Sequence, residues 1–434
     1  MDDDFDIFAG IDWATQSHQV CLIDHSGAVL GERCFDHSGA GLAALCDWLI
    51  ALSGRPPERI AVAIEVPHGA VVESLLERGF AVFSLNPKQL DRFRDRFTMA
   101  GAKDDRRDAR VAGDALRSDR HCFRRLKIDA PSVIELREWS RMAEQLGQER
   151  GRLASRLREQ LRRYYPQALE LNDDIAANWV LELWKAAPTP QAARRIRPAS
   201  VSKLLARHRI RKIDGPGALA ILRQEPLRVA PGTQEAACAH IRSLIERLGL
   251  LNRQIKQANK KLDALCRAIG EQADDDGREK SSGQKPEQRD VTILRSLPGL
   301  GRVVLATLLA EASSALRDRN YHALRALSGV APITRQSGKR AHVVMRRACH
   351  RRLRNALYHW ARVASQNDPI CRARYAALRA RGHGHARALR SVADRLLAVA
   401  CAMLRNNTPF EPNHGQALKN LQASGVTDPQ TNPC

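Results

Sequence analysis

Ile60-Ala61-Val62-Ala63-Ile64-Glu65-Val66 is an apolar run with one carboxylate inside it. It is too short for a helix of ordinary length and rich in β-branched residues, so it reads as a strand buried on both faces, as in parallel sheets. Working outward, Asp6–Asp12 is a short apolar strand, followed by strands His18–Asp24 and Ala28–Phe35 across the turn Ser26-Gly27. Leu42–Leu52 reads as a helix before the buried run. After it come helix Val71–Arg78, strand Ala81–Leu85, and helices near Pro87–Phe97 and Arg106–Arg117.

Three antiparallel strands followed by helix, strand, helix, strand is the order of a ribonuclease-H-like (RuvC-like) fold, expected over residues 1–125. Residues 126–270 read as coiled-coil helices. Leu136–Tyr165 is a long helix, and Ile241, Leu244, Leu248, Leu251, Ile255, Ala258, Leu262 and Leu265 form a seam with alternating spacings of 3 and 4. The seam's partner is either the earlier helix or another subunit. A basic insert runs from Ala187 to Leu227. Residues 271–290 read as a linker, 291–408 as a mainly helical domain, and 409–434 as a disordered tail. The expected class is thus α/β plus all-α.

The formal charge is +22, with 70 Lys and Arg against 48 Asp and Glu. Nucleic acid is the commonest partner that neutralises such an excess. From Lys339 to Arg395 there are fifteen Lys or Arg and two acids, on a helical pattern, which suits phosphate contact. Aromatic residues are 5% of the chain, too few for a single-strand stacking platform. No apolar run is long enough for a membrane span, and the acidic start Met1-Asp2-Asp3-Asp4 is unlike a secretory signal, so a cytoplasmic location is expected. The ten cysteines show no CxxC pairs and read as reduced core residues.

Three constellations carry chemistry. The first is acidic: Asp12 and Glu65 end strands that the fold order makes neighbours, and Asp105 and Asp108 share a helix face. Gathered carboxylates repel unless cations screen them. Magnesium takes oxygen ligands and keeps waters for a substrate phosphate. Asp12 also reads plainly as a strand cap, and Asp105 and Asp108 as helix N-terminal acids, whereas Glu65 sits in a run that otherwise reads as buried, where an unpaired carboxylate is costly. Asp104 competes for either helical role. Lys103, Arg106, Arg107 and Arg110 pair with these acids or approach phosphate. The second constellation is Leu297-Pro298-Gly299-Leu300-Gly301, the turn of a helix-hairpin-helix whose amides bind phosphate, or an ordinary interhelical turn. The third is Ser328-Gly329-Val330-Ala331-Pro332 leading into Arg335-Gln336-Ser337-Gly338-Lys339-Arg340, a glycine-bounded serine loop beside cations.

Gly10-Ile11-Asp12-Trp13-Ala14, Ile64-Glu65, Ala102 to Arg110, Leu297 to Gly301 and Gln336-Ser337-Gly338, in that order, resemble the DEDD transposases of prokaryotic insertion sequences, the bridge-RNA-guided recombinases. The resemblance covers nearly the whole chain. It implies that DNA is cut and rejoined without simple hydrolysis, that Asp12, Glu65, Asp105 and Asp108 hold magnesium, and that Ser337 forms a covalent phosphoserine link. It implies a guide RNA, and a homodimer that assembles into a tetramer with double-stranded DNA. From the charge pattern and the turn, independently of the resemblance, nucleic-acid contacts are expected at Lys103, Arg106, Gly299, Gly301, Arg335, Lys339, Arg340, Arg346, Arg347 and Arg351. The rival readings are a metal-dependent nuclease or junction resolvase of the same fold, an actin-like ATPase and a non-enzymatic DNA-binding protein. The ATPase needs a Gly-rich phosphate turn where the sequence has Ala14-Thr15-Gln16-Ser17. The DNA-binding protein leaves Glu65 unexplained.

Overall fold

The computed structural model describes residues 5–97, 104–272, 290–338 and 340–411. The chain divides into two compact units, residues 1–129 and 130–434.

The first unit holds strands β1 (Ile7–Trp13), β2 (Ser17–Asp24) and β3 (Val29–Asp36), then helix α1 (Gly39–Ser53), β4 (Ile60–Ile64), α2 (Ala70–Glu77), β5 (Ala81–Ser84), α3 (Pro87–Arg94), α4 (Asp105–Asp119) and the two-residue β6 (Arg124–Arg125). The sheet order is β3-β2-β1-β4-β5-β6. β2 is antiparallel to β1 and β3, while β4 runs parallel to both β1 and β5. This is the order the sequence pattern predicts, with one strand added: β6 pairs antiparallel at the β5 edge. The buried run is shorter than expected. It leaves the ladder at Ile64, whose carbonyl accepts from Leu85 N at 3.0 Å, and Glu65 and Val66 turn away before Pro67, which has no N–H to donate.

Side-chain alternation divides the core of this unit. Ile7, Ala9, Ile11, Ile60, Val62 and Ile64 pack on one face of the sheet with α1 and α2. Phe8, Ala61 and Ala63 pack on the other with Ala109, Ala112, Ala115 and Leu116 of α4. α3 starts with a capping box between Asn86 and Gln89 and Pro87 in its first turn.

The second unit is helical. Its frame is α5 (Pro131–Tyr164), with α6 (Asn178–Ala186), α7 (Pro190–Arg195), α8 (Pro198–Arg207) and α9 (Gly215–Leu222) preceding α10 (Thr233–Gln272). The seam on α10 is filled by α5 of the same chain. The two helices run antiparallel, with Lys261 against Glu135 at 2.8 Å and Arg150 Nε donating to Asn252 Oδ1 at 2.7 Å. The insert at 187–227 is folded: Tyr164 Oη donates to the Pro188 carbonyl at 2.8 Å and Tyr165 Oη to that of Leu222 at 3.1 Å. Val201, Leu205, Leu219 and Leu222 join the same core.

The remainder comprises α11 (Asp290–Arg295), α12 (Arg302–Glu311), α13 (Ser313–Arg317), α14 (Tyr321–Ser328), the hairpin β7 (Ile333–Ser337) and β8 (Arg340–Val344), then α15 (Arg351–Asn367), α16 (Pro369–Ala380) and α17 (His385–Asn406). Trp360 is fully buried at the centre of this core and donates from Nε1 to the Pro298 carbonyl at 2.9 Å. Most of the linker and the tail from residue 412 lie outside the described residues. The nine described cysteines are all free, six of them buried. Among the described residues no helix is long and apolar enough to cross a membrane.

Candidate functional site

β1 and β4 are in parallel register, Ile11 beside Ile64, so Asp12 and Glu65 are the next residues after paired positions on neighbouring strands. Alternation from Phe8 and Gly10 puts Asp12 on the α4 face of the sheet, and alternation from Ala61 and Ala63 does the same for Glu65 where the strand lets go. Both are half-buried. α4 is brought down onto this face by glycine. A Cβ at Gly10 would lie 1.9 Å from the Ala109 carbonyl oxygen and 2.5 Å from Gly113 N. Gly113 in turn lies over Ala9 and the Gly10 nitrogen. Going from Gly113 to Ala109 therefore follows β1 toward Asp12, and the first turn of α4, with Asp105 and Asp108, continues that way.

The helical acids differ sharply. Asp104 is the N-cap, its side chain accepting from Arg106 N at 3.3 Å. That role uses the carboxylate that competed with Asp105. Asp105 is exposed. Asp108 is 2% exposed and takes a two-pronged ion pair from Arg94: Nε to Oδ1 at 2.7 Å and Nη2 to Oδ2 at 2.9 Å. Arg94 Nη1 also donates to Asp91 at 3.1 Å. Burial works against the Arg94 charge, but its bonds to Asp108 outweigh that and hold the guanidinium above its ordinary pKa. Nothing in the sequence marked Arg94. It lies on a different helix, fourteen residues before its partner.

Asp12 and Glu65 lie at the ends of neighbouring strands, and Asp105 and Asp108 lie in the first turn of the helix that packs on that sheet. Among the described residues, no three of their carboxylates bring oxygens within 4.8 Å of one another. The donor set itself, all carboxylate oxygen, fits a hard divalent cation. Asp12 and Glu65 are half-buried and Asp105 is exposed, whereas both carboxylate oxygens of Asp108 are taken by Arg94. Asp119, His121 and Cys122 do lie that close together, but Asp119 is already engaged by Ser118 Oγ at 2.7 Å and Arg96 at 3.5 Å.

Several expected cations have other duties. Arg106 pairs with Glu32 of β3 at 3.2 Å. Lys103 and Lys339 lie outside the described residues. Arg352, within the basic run, is part of a buried hub: with Arg137, Arg141 and His350 it surrounds Glu311, whose side chain is 4% exposed. Burial alone would raise the Glu311 pKa, but Arg141 and its neighbours pull it below its ordinary value. Asp394 is likewise held by Arg325 at 2.7 Å. The basic run is therefore not one uniform phosphate-facing surface. Arg335, Arg340, Arg347 and Arg351 are exposed, and Arg346 is half-buried.

Ser337 is not in an irregular loop. It ends β7, opposite Arg340, with Gly338 turning the hairpin at φ +54°. Ser337, Arg335 and Arg340 are all exposed. Ser328, by contrast, is buried and donates from Oγ to the Leu324 carbonyl at 2.6 Å, an intrahelical bond. The Pro298-Gly299 turn joins α11 to α12. Gly299 has φ +73°, and a Cβ there would lie 2.6 Å from Ala364 N. Gly301 is the N-cap of α12 and its Cβ position is open. Beside it is a cavity of about 430 Å³ lined by Asp263, Arg267, Arg295, Leu300, Arg302 and Leu305. Arg302 pairs with Asp263 at 2.9 Å; Arg295 is exposed.

Comparison with known proteins follows the same two regions. A transposase profile of the DEDD type found in IS110 matches residues 9–166, and the transposase profile of the IS116/IS110/IS902 family matches residues 291–376. A Sinorhizobium fredii protein named as a transposase is 59% identical over 217 residues, which is 50% of this chain and 60% of that relative. A Streptomyces coelicolor protein named for the transposase of the mini-circle IS117 is 31% identical over 94% of this chain and 96% of its own length. A 44.8 kDa protein of insertion element IS116 from Streptomyces clavuligerus is 27% identical over the same shares. Profile order and near full-length similarity agree: the chain belongs to the IS116/IS110/IS902 family of transposases.

Proposed function

We propose that the chain cuts and rejoins DNA with a ribonuclease-H-like acidic unit and a serine nucleophile on the β7–β8 hairpin. The observation that carries the acidic half is register: Asp12 and Glu65 follow paired residues on adjacent parallel strands, under the helix that bears Asp105 and Asp108. These residues would hold magnesium, which when bound polarises a phosphodiester and offsets its charge. The chain's own groups do the rest. Arg335 and Arg340 flank Ser337 on the exposed hairpin and balance charge on the phosphate under attack. The Ser337 oxygen forms a bond to phosphorus as one phosphorus–deoxyribose bond breaks. Its proton leaves with the freed deoxyribose hydroxyl. The hydroxyl of the incoming strand then attacks the phosphoserine and restores the serine. One phosphoester replaces another at each step, so no external energy source is needed.

Double-stranded DNA is bound through the helix-hairpin-helix turn at Gly299 and Gly301, the adjoining Arg295 and Arg302, and the exposed Arg347 and Arg351. A guide RNA shares the +22 surface and selects donor and target. The chain works as a homodimer that assembles into a tetramer.

The test is trapping of covalent protein–DNA adduct on a nicked junction substrate. Ser337→Ala abolishes the adduct and strand transfer. A metal-dependent nuclease would still cut with that change, and cutting at the wild-type rate would sink the serine assignment. Asp12→Asn slows adduct formation; an unchanged rate would remove the acids from the reaction.

A further inference from the structure

Asp108 is the most buried of the four acids, yet both its oxygens are occupied by a protein cation. Arg94 meets it side-on, using the two lone-pair directions that a ligand carboxylate would turn toward a metal. Only 2% of the Asp108 side chain and 17% of that of Arg94 is exposed, so the paired carboxylate offers almost no solvent-facing edge to a hydrated ion. Magnesium holds near-octahedral geometry and parts reluctantly with its waters, so it needs that room. Arg94 ends α3 and has a second partner one turn back, Asp91, which is 65% exposed and already 3.1 Å away. A guanidinium released from Asp108 thus keeps a carboxylate on its own helix.

We propose that Arg94 is a metal-loading latch: it holds Asp108 in the place of a divalent cation, and the acid site is completed only when Arg94 swings to Asp91. This rests on the reading of the four acids as a metal site. In the latched state Asp12, Glu65 and Asp105 present a weak, incomplete donor set. Loading exchanges a single positive charge at Asp108 for a doubly charged ion, so the buried carboxylate is never left uncompensated. Released Arg94 adds one cation to the mouth of the site, where a phosphate would lie.

Manganese is the probe. Its free concentration is followed by electron paramagnetic resonance on the full chain, without DNA and without any activity measurement. Arg94→Ala should tighten manganese binding at least tenfold. The thermal midpoint of that variant should also rise more on adding manganese than the wild type's. Arg94→Gln, which can still donate to one Asp108 oxygen but carries no charge, covers the case in which the alanine variant fails to fold, and should tighten binding in the same direction. In an Asp108→Asn background, Arg94→Ala should leave the affinity unchanged. If Arg94→Ala and Arg94→Gln bind manganese no more tightly than the wild type while Asp12→Asn weakens it, the acid site stands and the latch is wrong, Arg94 being a support for Asp108. If Asp12→Asn leaves wild-type manganese binding intact, the acid-site reading itself fails and the latch with it.

Discussion

Gly10 is where the packing of the first unit and the geometry of the acid set meet, so Gly10→Ala is the sharpest test of their connection. The added methyl group would sit 1.9 Å from the Ala109 carbonyl oxygen and 2.5 Å from Gly113 N. An ordinary carbon–oxygen contact is about 3.3 Å, so α4 must lift from β1 by roughly 1.4 Å or rotate by an equivalent amount. Both clashing atoms are helix backbone and cannot move aside as a side-chain end could. Overpacking of a core costs typically ~1–3 kcal/mol, and a backbone clash belongs at the upper end. A loss of ~3 kcal/mol is about two orders of magnitude in an equilibrium constant. Hydrogen exchange of peptides covering 7–13 and 105–119 should therefore accelerate by about that factor in the amides that exchange by global opening of this unit. Gly113→Ala is the internal control: its Cβ would be 3.1 Å from Gly10 N, so the effect should be clearly smaller. Because the shift lifts the turn bearing Asp105 and Asp108 away from Asp12, strand transfer by surviving folded protein should fall at least tenfold. Unchanged exchange, or full strand transfer with α4 displaced, would refute the idea that close glycine packing positions the acids.

Other outcomes follow from the same structure. Glu311→Ala removes the shared buried carboxylate of Arg141 and Arg352 but leaves them Glu138, Glu144 and Ser140, so the cost in urea unfolding of the full chain should sit at the low end of a broken buried pair, ~3 kcal/mol. Because the folded Glu311 pKa lies below its unfolded value, its contribution is complete above about pH 4.5 and is lost as pH falls through the folded value; Glu311→Gln should flatten that part of the stability–pH curve. Ser337→Ala changes an exposed hairpin residue, so its unfolding midpoint should stay within ~0.5 kcal/mol of wild type while adduct formation disappears. Gly299→Ala meets Ala364 backbone and a positive φ and should destabilise by more than ~1 kcal/mol, whereas Gly301→Ala enters open space and should be nearly neutral for stability, a contrast that thermal unfolding will show.

Much of the first unit was legible because its signals are local. A strand buried on both faces must be apolar throughout, and Ile60–Ile64 is; the β2–β3 turn carries its glycine, Gly27, at φ +91°. The seam on α10 was equally plain, since an apolar residue every three or four positions has only a packed helix face as its explanation. Its partner was not plain, because periodicity records that a face is covered and not by what. Only the folded chain brings Glu135 to Lys261 and fills the seam from within. The basic run from Lys339 to Arg395 shows the opposite error of scale. Charge counted along a sequence cannot separate Arg347, which is exposed, from Arg352, which is spent on Glu144 and Glu311.

The four acids divide the same way. The sequence pattern put Asp12 and Glu65 at the ends of neighbouring strands and Asp105 and Asp108 three residues apart on one helix, and the fold has those strands paired and that helix present. Both are relations along a strand or a helix, where periods of two and 3.6 residues leave little freedom. What each carboxylate touches was decided by tertiary structure. Asp104 caps its helix, Asp105 stays in solvent, and Asp108 lies buried beneath Arg94 of a neighbouring helix. Ion-pair partners are chosen by proximity in space, and an arginine fourteen residues away carries no mark of its choice until α3 and α4 have packed on one sheet.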